Sequence, residues 1–133
     1  MAKVKSISQL KKDADKYFSI YVRLRDSENG ICTCITCGKQ GHWKTMQAGH
    51  FVSRKVSLLR FSDENVNAQD VGCNVFKHGE QYLYSKALDM KYGDGTADRL
   101  FAQRFSTHKF TKEELETIIK DAKEFIGWYE SHN

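Results

Sequence analysis

Two short cysteine-containing half-sites constrain this chain more than any other feature of its sequence. Cys34 and Cys37 form a Cys-x-x-Cys pair, and Asp70 and Cys73 repeat that spacing as Asp-x-x-Cys. In a reducing compartment such pairs are more often metal ligands than disulfides. An Asp oxygen can replace a thiolate on zinc, so we predict one structural Zn²⁺ held by Cys34, Cys37, Asp70 and Cys73. Cys32 is the alternative fourth ligand.

Length and composition are those of a globular protein with one modest core. The chain has 133 residues, of which 40% are hydrophobic and 29% charged, and it contains no Pro. We therefore predict a single domain over residues 1–133. No apolar run approaches the ~20 residues that a membrane span needs, and the N-terminus lacks the apolar segment of a secretion signal. We expect a cytoplasmic protein with no membrane partner.

A basic tract without carboxylates lies in the middle of the chain. The net charge is +4, and residues 29–62 contain no Asp or Glu. Such a tract complements a phosphate backbone, although an ordinary solvated surface is the alternative. For Arg60, and with less weight for Arg54, a second alternative is an ion pair with the acidic C-terminal third. The charge pattern favours DNA as the partner, and the tract's positive side chains are Lys39, Lys44, Arg54, Lys55 and Arg60.

Helices are predicted at both ends of the chain. Apolar residues recur at steps of three and four through residues 6–26, which is typical of an amphipathic helix. Thr111 and Glu114 have the spacing of a capping box, so a helix should begin there. We expect residues 81–133 to be a helical C-terminal part.

Short strands are predicted between these helices. Residues 31–38 suit a strand that turns at the cysteine pair. Residues 39–54 suit a hairpin with its turn at Gly41 and with His50 on the returning strand. Polar residues dominate 62–67, where we predict a loop.

A helix is predicted directly after the second half-site, over residues 70–84, with Gly79 either a weak point or a break between two helices. Asn74 and His78 stand four residues apart, so on a helix they share one face and can ligate one cation. The alternative is an ordinary solvated helix face. Asn65 lies in the preceding loop, where its amide can hydrogen-bond to the backbone of the His50 hairpin.

Four stretches of the chain resemble a known family. The resemblance is to the NinG (Rap) family of phage recombination nucleases, it covers roughly residues 10–90, and it is carried by YFSIYVRLRDSENGICTCITCGK, MQAGHFVSRKVSLLRF, NVNAQ and GCNVFKHGE. The order of cysteine knuckle, His and Asn is also similar to phage endonuclease VII, a Holliday-junction resolvase of the ββα-metal (HNH) superfamily. The resemblance implies an α+β fold with a small ββα-metal core and zinc knuckle over residues 31–80, flanked by the two helical parts.

The resemblance also implies an activity. It indicates an Mg²⁺- or Mn²⁺-dependent endonuclease acting on branched DNA or recombination intermediates, phage-encoded and working in the cytoplasm of a bacterial host. In the family pattern His50 matches the general base, Asn65 the central Asn, and Asn74 and His78 the catalytic metal positions. Imidazole suits the base because it titrates near neutral pH. A resolvase needs two active sites, which would imply a homodimer. The predicted DNA contacts are Arg54, Lys55, Arg60 and Lys77.

Two positions depart from the family pattern. Asp70 stands where the family has a third knuckle Cys, and Gly49 stands where many relatives have a metal-binding Asp or His. Gln47, Glu80 or a substrate oxygen are the candidates for completing the catalytic ligand set. Two other functions compete with a structure-selective nuclease. One is a non-catalytic zinc-knuckle DNA-binding protein in which His50 only packs, and the other is a homing or restriction-type HNH nuclease that reads duplex sequence.

Overall fold

The first element, α1 (Ile7–Arg25), confirms the predicted N-terminal helix. The computed structural model describes residues 4–132. The Ser6 hydroxyl accepts a hydrogen bond from the Gln9 amide at 3.1 Å and caps the helix. Burial of its apolar stripe against the rest of the chain stabilises α1, and the buried residues are Leu10, Ala14, Phe18, Val22 and Leu24.

The last element, α4 (Lys112–His132), begins at the predicted capping box. The Thr111 amide donates to Glu114 Oε1 at 3.0 Å, and the Glu114 amide donates to Thr111 Oγ1 at 3.1 Å. The helix packs along α1, where Leu10, Ala14, Phe110 and Leu115 form one apolar cluster. We call α1 and α4 the helix pair. Two more helices, α2 (Gln81–Tyr92) and α3 (Thr96–Ala102), precede α4.

Two small antiparallel sheets lie between α1 and α2. The first contains β1 (Ser27–Glu28), β2 (Ile31–Thr33) and β3 (Gln40–His42), in that order. The second is a two-stranded ribbon of β4 (Gln47–His50) and β5 (Val66–Gln69). Together with the helices, these sheets confirm the mixed α+β class.

The strand pairing corrects the predicted hairpin over residues 39–54. Gly41 is not in a turn, because it lies in β3 opposite Cys32. β4 pairs instead with β5, with Gly49 opposite Asn67. The predicted loop over 62–67 is wrong at its end, because β5 begins at Val66. Polar residues enter this buried strand because the surrounding chain supplies hydrogen bonds: Asn67 Nδ2, for example, donates to the Glu64 carbonyl at 3.0 Å.

The predicted helix over 70–84 is broken, which is one of the two alternatives for Gly79. A π-helical turn covers Gly72–Phe76, and α2 starts only at Gln81. Between them His78, Gly79 and Glu80 all have positive φ, at 51°, 83° and 50°. Left-handed backbone ends a helix, so Asn74 and His78 do not share one helix face. The prediction that Asn74 and His78 lie on one helix face is therefore wrong.

The ribbon lies between α1 on one face and α2 on the other. On the first face Val66 packs with Phe18 and Val22 of α1. On the second, the Tyr84 hydroxyl of α2 donates to the Gly49 carbonyl at 2.6 Å. This arrangement buries every residue of β5. Among the described residues, none of the helices is both long and apolar enough to cross a membrane.

Candidate metal centre and histidine cleft

Three cysteine sulfurs converge at the end of β2. Those of Cys34, Cys37 and Cys73 all lie within 4.8 Å of one another. The knuckle turns through Gly38, whose φ is 77° and whose amide donates to the Cys34 carbonyl at 2.9 Å. Cys73 reaches the cluster from the π-helical turn. Three sulfurs at this separation suit a soft tetrahedral cation such as Zn²⁺.

The protonation of these thiols is set by burial and by local hydrogen bonds. Burial opposes ionisation of Cys34, but backbone amides of Asp70, Cys37 and Thr36 and the Thr36 hydroxyl lower its pKa to about 7. Burial raises the pKa of Cys73 to about 11. A bound cation stabilises thiolates and releases their protons. Of these two thiols, Cys34 therefore ionises more readily.

Neither proposed fourth ligand belongs to this cluster. Asp70 Oδ2 accepts a hydrogen bond from the Gly72 amide at 3.0 Å, and its Oδ1 lies 3.6 Å from Lys39 Nζ. The Cys32 thiol donates to the Arg23 carbonyl at 2.9 Å, and burial raises its pKa to about 11. Within residues 4–132 the cluster contains no carboxylate or imidazole. The cysteines thus form a three-sulfur site.

His50 lies at the end of β4 and borders a polar cleft of about 320 Å³, which we call the histidine cleft. Its ring Nε2 is 3.0 Å from the Arg60 carbonyl oxygen. Burial lowers the pKa of His50, and the Arg60 carbonyl partly opposes that shift. The imidazole is therefore held neutral near pH 7. The lining residues are Asp15, Phe18, Ser19, Ala48, His50, Arg54, Arg60, Val66 and Asn74.

Asn65 is fully buried. Its Oδ1 accepts a hydrogen bond from the Val52 amide at 2.8 Å, and its Nδ2 donates to the carbonyls of Val52 at 2.9 Å and Leu59 at 3.1 Å. The amide thus ties together both ends of the loop that follows His50. These are the backbone contacts expected of Asn65, while its assignment to catalysis stays a prediction.

The two predicted ligands of a catalytic cation, Asn74 and His78, lie in different surroundings. Asn74 lines the histidine cleft, and its Nδ2 donates to Gln47 Oε1 at 2.6 Å. His78 is exposed in the turn before α2. Gln47 thus hydrogen-bonds to Asn74. Glu80 stands in left-handed backbone at the N-cap of α2. Completion of the ligand set by either residue stays a prediction.

Gln69 is a residue that the sequence reasoning did not single out. It lies in β5 opposite Gln47 and is fully buried. A Cβ placed on Gly49 would come 1.9 Å from Gln69 Oε1 and 3.1 Å from Asn74 Oδ1. Gly49 is the sequence feature that could have indicated this contact, because a glycine within a strand often marks the close approach of another group.

The basic side chains predicted to contact DNA differ in whether they are exposed or held in an ion pair. Arg54, Lys55 and Lys77 are exposed. Arg60 is bound instead to Asp15 of α1, with Nε to Oδ1 at 2.9 Å. The alternative of an ion pair for Arg60 is therefore observed, although its partner belongs to α1 and not to the C-terminal third. Arg54 Nη1 lies 4.0 Å from the same carboxylate, with 62% of its side chain exposed. Arg54 is the more available of these two for a phosphate.

Fold and site together define an α+β protein that carries a three-cysteine cluster and a polar cleft bordered by a histidine. The chain belongs to the NinG family, since residues 1–128 match the family model described as Bacteriophage Lambda NinG protein. This confirms the family resemblance noted in the sequence. Similarity to endonuclease VII and to the ββα-metal superfamily stays a prediction.

Curated relatives extend this comparison. The chain is 29% identical over 110 residues to Protein ninG of Escherichia phage lambda, covering 80% of this chain and 50% of the relative. It is also 29% identical over 110 residues to Protein ninG of Salmonella phage P22, covering 80% and 51%. The chain therefore spans about half the length of the curated relatives it matches. No solved structure matches it.

Proposed function

We propose that this protein is a metal-dependent DNA endonuclease of the ββα-metal type, in which His50 is the general base for phosphodiester hydrolysis. The observation that carries the proposal is the contact between His50 Nε2 and the Arg60 carbonyl at 3.0 Å. A carbonyl can only accept, so Nε2 must hold the hydrogen. In the neutral ring the lone pair then resides on Nδ1, which is the form that can take a proton from water.

The surroundings of His50 support this role. Because burial lowers its pKa, the ring is neutral at the pH where a base is required. Asn65 fixes the loop that carries the Arg60 carbonyl, through its hydrogen bonds to Val52 and Leu59. Orientation of the imidazole by such a carbonyl is the arrangement that a general base needs. The base and its support thus form one connected unit.

We infer that the divalent cation binds in the histidine cleft. Asn74 Oδ1 is a hard oxygen donor of the kind that Mg²⁺ and Mn²⁺ prefer, and its Nδ2 is already engaged by Gln47. When bound, such a cation neutralises charge that develops on the phosphoryl oxygens. Arg54 can add to this by clamping a phosphate with two hydrogen bonds. Lys55 and Lys77 would contact the DNA backbone farther from the scissile bond.

Zinc has a structural role in this proposal. Cys34, Cys37 and Cys73 hold it, and neither Asp70 nor Cys32 is needed, because each has other hydrogen-bonding partners. We expect one zinc per chain in wild type, in Asp70→Ala and in Cys32→Ser, and loss of zinc in Cys37→Ser. Metal analysis of the purified proteins checks this. Zinc retained by Cys37→Ser, or lost from Asp70→Ala, would contradict the three-sulfur assignment.

The preference for branched DNA rests on the family resemblance. We expect Mg²⁺ or Mn²⁺ to support cleavage of four-way and flap substrates in preference to linear duplex. The assay compares these substrates with each cation and without added cation, because a chelator would also strip zinc. His50→Ala protein, purified in parallel, controls for contaminating nucleases. Binding without cleavage under every condition would favour the competing zinc-knuckle DNA-binding protein, and cleavage of one duplex sequence would favour a homing-type enzyme.

A further inference from the structure

A buried side-chain oxygen of β5 accepts no hydrogen bond from the described residues. It is Gln69 Oε1, in a side chain with 0% exposure. The other end of this amide is fully engaged, because Nε2 donates to the Gly79 carbonyl at 2.9 Å and to Thr36 Oγ1 at 3.2 Å. A carbonyl cannot donate, so the Gly79 contact fixes which end of the Gln69 amide is oxygen.

The amide oxygen of Asn74 lies close to the same position as Gln69 Oε1. Both approach one point, the position of a Cβ on Gly49, to within 1.9 Å for Gln69 Oε1 and 3.1 Å for Asn74 Oδ1. Asn74 Nδ2 is turned away, toward Gln47 Oε1. Two acceptors therefore converge at Gly49, the residue before the base, and one of them, Gln69 Oε1, accepts no hydrogen bond from the described residues. A positive group is the natural complement of such a pair.

We propose that Gln69 Oε1 is a ligand of the catalytic divalent cation, together with the Oδ1 of Asn74, which lines the histidine cleft. The inference rests on the proposed function and names a ligand for it. Any side chain at Gly49 would overlap the Gln69 oxygen, so glycine at this position leaves the space in which Gln69 reaches the site. The ligand thus comes from β5 and not from the residue preceding the base.

The chemistry of this site sets its expected strength. Both oxygens are neutral, and the nearby carboxylate of Asp15 is already paired with Arg60. Mg²⁺ usually binds proteins through one or two carboxylates plus substrate phosphates. We therefore expect weak binding by the free protein and much tighter binding when DNA supplies a phosphate oxygen. This dependence links cation binding to the presence of substrate.

A competing arrangement needs no cation. If the amides of Gln47 and Asn74 both rotate by 180°, Gln47 Nε2 donates to Asn74 Oδ1, and Asn74 Nδ2 becomes a donor for Gln69 Oε1. Gln69 Oε1 then faces a donor and not a second acceptor. In that arrangement Gln69 has no affinity for a cation, which makes the two alternatives separable by experiment.

Paramagnetic broadening on the wild-type protein is the first test. Mn²⁺ alone is added to zinc-loaded protein, and the side-chain NH₂ signals of glutamine and asparagine are followed by NMR. We expect those of Gln69 and Asn74 to broaden together and before those of exposed Gln40. Broadening that spares Gln69 while affecting other sites would overturn the assignment. This measurement needs no substitution and no cleavage.

The second test measures Mn²⁺ affinity in variants by titration without DNA. Gln69→Leu should weaken binding by at least about tenfold, a loss typical even of partners outside the metal's own ligand set. Gly49→Ala should weaken it as well, since the added methyl displaces the Gln69 oxygen, while Gln40→Leu serves as the matched control. Unchanged affinity in both site variants would overturn the proposal.

Separate readouts distinguish this inference from the proposed function. Cleavage with a cation bound elsewhere keeps the nuclease and overturns the Gln69 assignment. Cation binding at Gln69 without cleavage of any DNA keeps the assignment and overturns the nuclease.

Discussion

The helix pair and the β4–β5 ribbon bury different kinds of side chain. The helix pair buries apolar side chains such as Leu10 and Leu115. The ribbon and the loop before it bury amides instead, and Asn65, Asn67 and Gln69 all have 0% exposure. An apolar cluster gains stability from removal of its surface from water, whereas a buried amide is costly unless its hydrogen bonds are replaced.

Under the proposed function, this difference separates positions that serve activity from positions that serve stability. The amides of Asn65 and Asn67 find partners within the protein, so they position the chain around them. Gln69 Oε1 is left without a hydrogen bond among the described residues. A chain that needed only stability would fill these positions with apolar side chains. We therefore expect changes in the ribbon to affect activity and changes in the helix pair to affect stability.

The largest expected effect is that of His50→Ala, which removes the proposed base. General-base catalysis contributes about 10² to 10⁴ in rate, so the cleavage rate should fall by that factor. DNA affinity should change little, and the melting temperature should fall by only a few degrees, because one hydrogen bond to the Arg60 carbonyl is lost. Single-turnover cleavage and thermal unfolding check this, with His132→Ala at the exposed end of α4 as the matched control. A wild-type rate in purified His50→Ala protein would remove the proposed mechanism.

Leu115→Ala tests the other side of the comparison. Leu115 is fully buried between α1 and α4, and truncation of such a leucine costs about 3 kcal/mol in the free energy of unfolding. The cleavage rate per folded molecule should stay near wild type at low temperature. Urea unfolding and cleavage are measured on the same samples, with exposed Glu116→Ala as the control. A selective loss of rate in fully folded Leu115→Ala protein would contradict the division of roles.

Asp26→Asn tests the junction between the two regions. Asp26 follows α1, and its carboxylate accepts hydrogen bonds from Arg25 Nε at 2.8 Å and from the Ala68 amide of β5 at 2.8 Å. We expect a loss of about 2 kcal/mol in the free energy of unfolding at neutral pH, because hydrogen bonds to a charged group are replaced by weaker ones.

The same carboxylate predicts a dependence on pH. Burial opposes its ionisation, but Arg25 and Lys91 lower the pKa of Asp26 overall. Stability from a lowered carboxyl pKa is present above the unfolded value of about 3.9 and is lost as pH falls through the folded value. The difference in stability between wild type and Asp26→Asn should therefore shrink below about pH 4. A difference that stays constant from pH 7 to pH 3 would show that ionisation of Asp26 contributes nothing.

The smallest expected effect is that of Arg54→Ala on DNA binding. Its guanidinium is largely exposed at the cleft, whereas that of Arg60 is held by Asp15. Loss of one phosphate contact should reduce the slope of log affinity against log salt by about 1. Arg60→Ala should change this slope less and reduce stability more. Binding of a four-way junction across a salt series checks both, and equal slopes for wild type and Arg54→Ala would place Arg54 away from DNA.

The sequence by itself determined the features whose causes are local. Helices α1 and α4 follow from apolar periodicity, and the Thr111–Glu114 capping box from a spacing of three residues. The Cys34–Cys37 knuckle is likewise a short-range turn. Family membership also followed from the residues alone, because its motifs are contiguous stretches. None of these depends on which distant segment lies nearby.

Tertiary structure alone decided the features that depend on distant partners. The pairing of β4 with β5, the Arg60 carbonyl behind His50 and the Asp15 partner of Arg60 each join segments that sequence spacing does not relate. The orientation of Gln69 depends on Gly79 and Gly49 at once. A strand or a buried polar group takes its partner from whatever the fold brings within hydrogen-bonding distance, and periodicity along one segment carries no information about that choice.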